Sequence, residues 1–283
     1  FFALIQIISA TPNWTLAWSD EFDYTGIPNP KYWTYEVGFI RNTVKEYYTY
    51  ADPRNSRVEN GQLILEAHKD IGSISPEGRP YNYTAGSIIT YQHVHFLYGK
   101  FETRLKVPAG QGVWPAFWLL GCNFLDILWP MCGEVDMMEY TGADPLKLWT
   151  TFHMAGKNYP KSPEYPVGKT ISTTNATSMY HNYTFVWTTD VVELYIDERM
   201  IVDYHKPADF TQKTWPYDLP FFLMANLAIG GSMGGAIDDS IFDSEVRFYV
   251  DYVRYYIDMN DKFHEKSFQV LNDSLSGTDI HND

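Results

Sequence analysis

The sequence Gly-Glu-Val-Asp-Met-Met-Glu-Tyr occupies residues 133–140 and places three carboxylates among apolar side chains. Side chains of a β-strand alternate between its two faces, so Glu134 and Asp136 point the same way. The next residue on that face would be a methionine, whereas the third acid, Glu139, comes one position later. A β-bulge that absorbs one of the two methionines returns the third acid to the face. The stretch therefore predicts a bulged strand with three acids on one side.

The three acids have a chemical consequence if they share a face. Like charges in a row repel, so one carboxyl should hold a proton near neutral pH. A protonated acid beside an ionised one is the arrangement that glycoside hydrolysis uses. Two other interpretations exist: a solvated strand face, and one turn of a helix in which Asp136 and Glu139 are three residues apart.

The surrounding sequence favours an inner strand that carries a sugar site. Valine, methionine and tyrosine would make the opposite face of the strand buried. Upstream lie Trp-Pro-Ala-Phe-Trp-Leu-Leu-Gly at 114–121 and Trp-Pro at 129–130. Flat aromatic faces stack on pyranose rings while carboxylates perform the chemistry. Acids next to this many tryptophans therefore indicate carbohydrate binding and cleavage.

Residues 99–140 closely resemble glycoside hydrolase family 16. The motifs Gly-Lys-Phe-Glu-Thr-Arg, Trp-Pro-Ala-Phe-Trp-Leu-Leu-Gly and Gly-Glu-Val-Asp-Met-Met-Glu-Tyr occur there in order. The extra residue before the last acid is similar to the laminarinase (endo-1,3-β-glucanase) branch, whereas the lichenase and xyloglucan transglycosylase branches usually lack it. The resemblance implies a secreted, endo-acting, retaining hydrolase of β-1,3-glucan that works by double displacement.

Short alternating segments with turn signals between them, and few helical periods, indicate an all-β sandwich. These segments lie at residues 57–67, 96–107, 181–197, 220–229 and 245–256. The resemblance runs from about Trp18 to Tyr256. It implies a β-jelly-roll of two antiparallel sheets with an open substrate cleft on the concave sheet.

Three regions divide the chain. The apolar run at 1–10 is too short to span a bilayer and is typical of a signal-peptide remnant, a first β-strand being the alternative. Residues 11–257 are the predicted catalytic domain, and residues 258–283 are a predicted polar, acidic tail. We find no internal repeat, linker or second domain.

The charge of the chain restricts its partners. A net charge of −14 and a pI near 4.9 argue against nucleic acid and against anionic membrane surfaces. They fit a neutral polysaccharide such as β-glucan better than a sulfated one. We expect a monomer that binds neither nucleic acid nor membranes.

Two cysteines and five glycosylation sequons are consistent with an extracellular protein. Cys122 and Cys132 bracket one short loop, which predicts a disulfide that would contribute roughly 2–3 kcal/mol. Two buried free thiols are the alternative. The sequons begin at Asn13, Asn82, Asn175, Asn182 and Asn272.

The resemblance also implies roles for individual residues. Glu134 is expected to be the nucleophile and Glu139 the acid/base, with Asp136 tuning the pair through a shared proton or hydrogen bond. Other positions match substrate-binding positions of the family, although core packing is the alternative for each tryptophan and a structural role the alternative for the histidine and asparagine. They are Trp114, Trp118, Trp129, His153, Asn226 and Asn42.

The sequence departs from the family pattern at four positions, and the resemblance also implies a metal site. Thr43, Val44, Ser87 and Met233 stand where relatives often have Asn, Glu, Arg and Trp, so sugar binding upstream of the cut is expected to differ. No cofactor is expected for catalysis. A structural Ca²⁺ is implied at Glu21, Gly61 (through its carbonyl) and Asp251.

Three alternative functions are weighed against the β-1,3-glucanase. A mixed-linkage β-1,3-1,4-glucanase, or a hydrolase of another polysaccharide such as a galactan, keeps the chemistry and changes the substrate. A non-catalytic glucan-recognition protein keeps the fold, but such relatives typically lose one or both glutamates. This chain retains all three acids.

Overall fold

The computed structural model describes residues 11–41, 43–157 and 167–271. Within them the chain forms the following strands: β1 (Trp14–Asp20), β2 (Thr34–Tyr35), β3 (Glu46–Tyr48), β4 (Ser56–Glu59), β5 (Gln62–Ile74), β6 (Pro80–Ala85), β7 (Ser87–Ile89), β8 (Val94–Phe96), β9 (Gly99–Lys106), β10 (Val113–Gly121), β11 (Glu134–Tyr140), β12 (Lys147–His153), β13 (Val167–Ser172), β14 (His181–Trp187), β15 (Val191–Ile196), β16 (Arg199–His205), β17 (Phe221–Ile229), β18 (Val246–Asp258) and β19 (Phe268–Val270).

The strands form two sheets that pack face to face, as the sequence predicts for a β-sandwich. In the described residues, one sheet has the order β16-β15-β14-β9-β18-β5-β6-β3, with β1 beside β18 and β4 beside β5. The other has the order β13-β12-β11-β10-β17-β7-β2, with β8 joining β17 to β19. Neighbouring strands are antiparallel, apart from the parallel pair β3 and β6. The predicted all-β jelly-roll architecture is confirmed.

The hydrophobic core lies between the two sheets, and strand alternation explains how it forms. Along β9, buried and half-buried residues alternate at every position, so Phe101 and Leu105 enter the core while their neighbours face outward. Strands β10 and β17 are buried along almost their whole length. One of their faces packs on the core and the other forms the floor of a cleft.

Helical structure is sparse in the described ranges. A single-turn α-helix, α1, spans Gly231–Gly234 after β17. Short 3₁₀ turns occur at Ala155–Lys157, Asp239–Asp243 and His264–Lys266. Within 11–41, 43–157 and 167–271, no helix combines the length and apolarity required to cross a lipid bilayer.

The predicted tail at 258–283 differs from the structure over its first half. Asp258 ends β18, and β19 pairs with β8 through Phe268 opposite Phe96. The Phe268 ring lies 5.9 Å from that of Phe96, and Ser267 is buried. Apolar residues between the polar ones are sufficient to seal the edge of the sheet, so the domain extends at least to Leu271. Residues 272–283, and the predicted signal-peptide remnant at 1–10, lie outside the described part of the chain.

The predicted disulfide between Cys122 and Cys132 is wrong, because both cysteines carry free thiols. Cys122 packs against the apolar cluster of the cleft floor, whereas Cys132 is completely buried just before β11. Burial raises the pKa of each thiol to about 12, so both stay protonated and unreactive at neutral pH. The alternative of two free thiols describes the structure, with Cys132 buried and Cys122 half-buried.

Candidate active site

The predicted bulge lies in β11, and its register identifies the extra residue. On β10, Trp118 lies opposite Asp136 while the preceding residue, Phe117, lies opposite Met138. Met137 therefore has no partner on β10. On the other side, β12 shows a register shift between the partners of Asp136 and Glu139. The bulge inferred from the spacing of the acids is confirmed, with Met137 as the inserted residue.

The bulge separates the acids from the methionines. Met137 and Met138 both enter the hydrophobic core, although they are consecutive. Glu134, Asp136 and Glu139 all line the cleft on the opposite side of the strand. Without the extra residue Glu139 would alternate into the core, where an unpaired carboxylate is costly.

The acids form one wall of a cleft of about 950 Å³. Its floor crosses β11, β10, β17, β7 and β2, and residues within 33–41 and 124–129 contribute to its sides. Strands are about 4.8 Å apart, so a floor four strand spacings wide has room for several sugar rings. The shape suits a polymer that lies across the strands.

Burial and mutual repulsion place protons on the acids. Burial, followed by the charge of Glu134, raises the pKa of Glu139 to about 7. Burial and the charges of both glutamates raise the pKa of Asp136 well above its usual range. Burial also raises the pKa of Glu134, but the charges of His153 and Arg41 oppose that rise. Near neutral pH, Asp136 therefore holds a proton and Glu134 is the acid best supported as an anion.

The hydrogen bonds to Glu134 support its ionised form. The indole of Trp129 donates to Glu134 Oε2 at 3.0 Å, and Asp136 donates its proton to the same carboxylate. Trp114 donates its indole N–H to Glu139 Oε1 at 3.1 Å. Each glutamate thus has a tryptophan that fixes the direction of one carboxylate oxygen.

His153 lies at the end of β12, directly opposite Glu134. Its Nε2 is 3.1 Å from Asp136 Oδ2 and 3.6 Å from Glu134 Oε1. Burial alone would lower the pKa of His153, but the hydrogen bond with Asp136 and the negative charges around it raise the pKa to about 10. The imidazolium therefore balances the charge of Glu134.

The three predicted tryptophans occupy different environments. Trp129 is 50% exposed at the rim of the cleft, where its ring lies 5.7 Å from that of His153. Trp114 and Trp118 are each 7% exposed. The guanidinium of Arg41 sits 4.9 Å from the centre of the Trp118 ring and covers one of its faces. Trp129 is thus the tryptophan of this set with an open face for a sugar ring.

Asn226 lies on the cleft floor, where its Oδ1 accepts a hydrogen bond of 2.8 Å from the Trp118 indole. Asn42, which the resemblance also assigned to substrate binding, lies outside the described residues. Of its predicted neighbours, Val44 packs with Trp114 on the floor of the cleft. An apolar contact therefore occupies a position where relatives often carry a carboxylate.

Three residues that line the cleft, Glu36, Arg41 and Tyr48, were not identified from the sequence. Arg41 forms a double ion pair with Glu36 at 2.5 and 2.6 Å, and Ser87 donates to the same carboxylate at 2.6 Å. Tyr48 lines the cleft, and Glu46 is buried beneath it. The sequence close to Asn42 mixes charged and aromatic residues, and this mixture could have indicated a binding site. The partners of these residues come from distant strands, so their contacts could not be predicted from it.

Glu134, Asp136 and His153 also have the composition of a metal site, since one ligand atom of each lies within 4.8 Å of the others. The acids around His153 raise its pKa and thereby favour the protonated ring. A protonated imidazole has no lone pair to offer a metal. The group is therefore better suited to proton transfer and charge balance.

The sequence around this site matches a known protein family. The sequence model described as glycosyl hydrolases family 16 matches residues 43–256. The chain belongs to glycoside hydrolase family 16. Double displacement with retention of configuration is typical of that family.

Individual relatives of this family 16 chain resemble it over most of its length. A β-glucanase from Rhodothermus marinus is 35% identical over 257 residues, 87% of this chain and 86% of the relative. The solved laminarinase from Rhodothermus marinus gives a TM-score of 0.78 at 35% identity and covers 87% of this chain and 98% of its own. SCLam is a non-specific endo-β-1,3(4)-glucanase, and a variant of it was solved with 1,3-β-D-cellobiosyl-glucose at its active site. That structure gives a TM-score of 0.80 at 31% identity and covers 86% of this chain and 95% of its own.

The structural calcium implied by family 16 does not fit the residues as they are arranged. Both carboxylates are bound by arginines: Glu21 accepts from Arg254 at 2.9 and 2.7 Å, and Asp251 accepts from Arg104 at 2.7 Å. Ca²⁺ requires about six to eight oxygen ligands. Carboxylates already paired with guanidinium groups are poor candidates for calcium ligands.

Proposed function

We propose that this family 16 hydrolase is an endo-acting, retaining enzyme that cleaves β-1,3-glucan. The observation that carries the proposal is the pair of glutamates on bulged strand β11, both facing one cleft, with different protonation. Glu134 is the nucleophile, and Glu139 is the acid/base.

The first step forms a covalent intermediate. The Glu134 carboxylate attacks the anomeric carbon while the bond from that carbon to the glycosidic oxygen breaks. Glu139 donates its proton to the departing oxygen, which leaves as a sugar hydroxyl. The pKa of Glu139, about 7, suits an acid that must hold a proton before this step and release it during the step.

The second step returns the enzyme to its starting state. Glu139, now ionised, removes a proton from water, and the resulting hydroxide displaces Glu134 from the anomeric carbon. Asp136 supports both steps, because its hydrogen bond to Glu134 favours the anion before attack and again on departure. The positive charge of His153 acts on the same carboxylate.

The cleft and the relatives support the substrate. The floor extends from the catalytic strand across β10, β17 and β7, so several consecutive sugars can lie on one side of the cut. Trp129 presents an exposed ring beside Glu134. A laminarinase and β-glucanases are among the similar proteins. A neutral glucan is also compatible with a chain of net charge −14.

We also propose that the protein is secreted and N-glycosylated. The sequons at Asn13, Asn82 and Asn182 have exposed asparagines, and that of Asn175 is half-buried. Asn272 lies beyond the described residues. Glycosidase treatment of protein made in a eukaryotic secretory host should increase its mobility on a denaturing gel if these sites carry glycans.

The stereochemistry of the product tests the mechanism. Glu134 and Glu139 share one face of one strand, which is the arrangement for carboxyls about 5–5.5 Å apart, and inversion needs about 6.5–9.5 Å. We expect proton NMR of early laminarin hydrolysis to show the β-anomer of the new reducing end first. The α-anomer should then grow only through mutarotation. Early appearance of the α-anomer would contradict the assigned pair.

The pH dependence tests the acid. Glu139 carries its proton below its pKa of about 7 and loses it above, so kcat/KM for laminarin should fall on the alkaline side of about pH 7. An aryl laminaribioside with an activated leaving group needs no proton, so its first step should lack this decrease. We expect the two pH profiles to diverge above pH 7. An identical alkaline limb on both substrates would assign the titration to another group.

A mixed-linkage β-1,3-1,4-glucanase is the second candidate, because the similar SCLam enzyme is described as non-specific for 1,3 and 1,4 linkages. Incubation with laminarin, curdlan, lichenan and agarose, followed by sizing of the products, separates the candidates. Rapid release of oligosaccharides from laminarin and curdlan, with little from lichenan, supports the 1,3-specific enzyme. Cleavage of agarose alone would reject both glucanase assignments.

A further inference from the structure

A chain of buried polar groups runs beneath the cleft floor. The Trp118 indole donates to Asn226 Oδ1 at 2.8 Å, and Asn226 Nδ2 donates to the Tyr48 hydroxyl at 3.0 Å. The Glu46 carboxyl lies close enough to the Tyr48 hydroxyl for each group to shift the pKa of the other, and its Oε1 atom is buried without a hydrogen-bond partner among the described residues. Glu46 Oε2 accepts the backbone N–H of Ile229 at 2.8 Å. The chain thus connects β10, β17 and β3.

We propose that Glu46 and Tyr48 are positioning residues that fix the Asn226 amide and the Trp118 indole for sugars that lie away from the cut. This inference rests on the proposed function. Neither Glu46 nor Tyr48 needs to contact the reacting atoms, because both act through their hydrogen-bonded neighbours.

The hydrogen bonds on its two sides fix one orientation of the Asn226 amide. An asparagine side chain can present either its oxygen or its nitrogen to a neighbour. Trp118 can only donate, so it requires the oxygen of Asn226. The Asn226 nitrogen therefore faces Tyr48, whose hydroxyl oxygen accepts from it at 3.0 Å. The amide is therefore fixed at both ends, as a site that binds specific sugar hydroxyls requires.

The burial of Glu46 indicates a specific role rather than incidental packing. Its side chain is 0% exposed and that of Tyr48 is 1% exposed. Burial raises the pKa of Glu46 to about 8, which reflects the cost of ionising a carboxyl at this position. An apolar side chain would fill the same space without that cost. After burial, the largest influences on the pKa of Glu46 come from the Ile229 N–H, its own N–H, Tyr48 and Arg41, all of which lower it.

The position of Asn226 explains why substrate binding, rather than the bond-breaking step, should be affected. Asn226 lies opposite Ala116, which lies opposite Glu139. Two strand spacings of about 4.8 Å separate the amide from the catalytic strand. A sugar ring at that distance is not the one that reacts. Contacts to a remote sugar that are equal in the ground and transition states change KM and leave kcat.

The test compares Tyr48→Phe with Tyr47→Phe. Tyr47 is the adjacent residue, also largely buried, but its ring stacks on Tyr81 at 5.0 Å and does not line the cleft. Loss of the Tyr48 hydroxyl leaves the Asn226 nitrogen without its acceptor. We expect KM for laminarin to rise about 10-fold with kcat within about 2-fold of wild type. Tyr47→Phe should match wild type in both constants.

A spectroscopic measurement makes the test independent of activity. In protein labelled with ¹⁵N-tryptophan, the Trp118 indole resonance, assigned with Trp118→Phe, should shift in Tyr48→Phe and stay in place in Tyr47→Phe. Glu46→Gln, which keeps the size of the side chain but turns an N–H toward Tyr48, should shift it as well and raise KM about 3-fold. This variant keeps the proposal testable if Tyr48→Phe does not fold.

The outcomes separate this inference from the proposed function. If wild type does not cleave laminarin, the proposed function fails, and the Trp118 resonance still decides whether Tyr48 and Glu46 fix the indole. A resonance unchanged in Tyr48→Phe and Glu46→Gln would overturn the inference. Equal KM values for Tyr48→Phe, Tyr47→Phe and an active wild type would also overturn it, as would a decrease in kcat alone.

Discussion

Replacing Glu134 by glutamine is expected to reduce laminarin hydrolysis by at least about 10⁴-fold while the protein remains folded. The amide cannot attack the anomeric carbon, so no covalent intermediate forms. Its oxygen still accepts the hydrogen bond that Trp129 donates at 3.0 Å, and its size is nearly that of the carboxylate. Laminarin binding should therefore persist. Steady-state rates, circular dichroism and calorimetric titration with laminari-oligosaccharides measure these three properties.

Two further variants control this experiment. Glu245→Gln makes the same chemical change at an exposed residue next to β18, which belongs to the other sheet, and should leave the rate unchanged. Glu139→Ala should also be inactive on laminarin, but azide should restore turnover of an aryl laminaribioside, because that leaving group needs no proton. More than a few per cent of wild-type activity in Glu134→Gln, or the absence of azide rescue in Glu139→Ala, would contradict the assigned roles.

Deleting Met137 is expected to lower activity by at least about 10³-fold, even in protein that folds. Met137 is the residue that the pairing of β11 with β10 skips between Asp136 and Met138. Without it the pairing becomes regular, and Glu139 is forced either onto the core face or out of register with Ala116. The acid/base then no longer points at the glycosidic oxygen. The rate on laminarin and the anomeric NMR spectrum check this expectation.

A substitution at the same position separates the effect of the bulge on activity from the effect of the Met137 side chain. Met137→Leu keeps the number of residues and nearly the same buried volume, so its activity should stay within about 3-fold of wild type. Thermal unfolding of both variants shows how much stability each change removes. A deletion variant as active as Met137→Leu would mean that the bulge is not needed to aim Glu139.

Much of the site could be predicted because its signal is local. The spacing of Glu134, Asp136 and Glu139 predicted the bulge and the shared face, and the structure has both. Alternation along segments such as 96–107 and 181–197 predicted strands that became β9, β14 and β15. Each of these inferences depends on neighbouring residues within one strand.

Other predictions failed where local sequence does not determine packing. Closeness along the chain suggested a disulfide between Cys122 and Cys132, but both thiols are free, and Cys122 packs against the apolar cluster of the cleft floor. Polar composition after residue 258 suggested a tail, yet Phe268 seals the sheet beside Phe96. In both cases the outcome depended on which distant surface was available to cover the side chain.

The sequence by itself determined which residues can carry the chemistry and which face of β11 they occupy, because strand alternation and a one-residue offset are properties of the local backbone. The tertiary structure alone decided which acid holds a proton and which groups support the cleft floor. Burial in the cleft wall and the charge of Glu134 raise the pKa of Glu139 to about 7, and Tyr48 reaches Asn226 across 178 positions of the chain. Both effects arise from the order in which the strands pair, because that order excludes water from the acids and brings distant residues into contact. Neither effect can be predicted from residues that are adjacent in sequence.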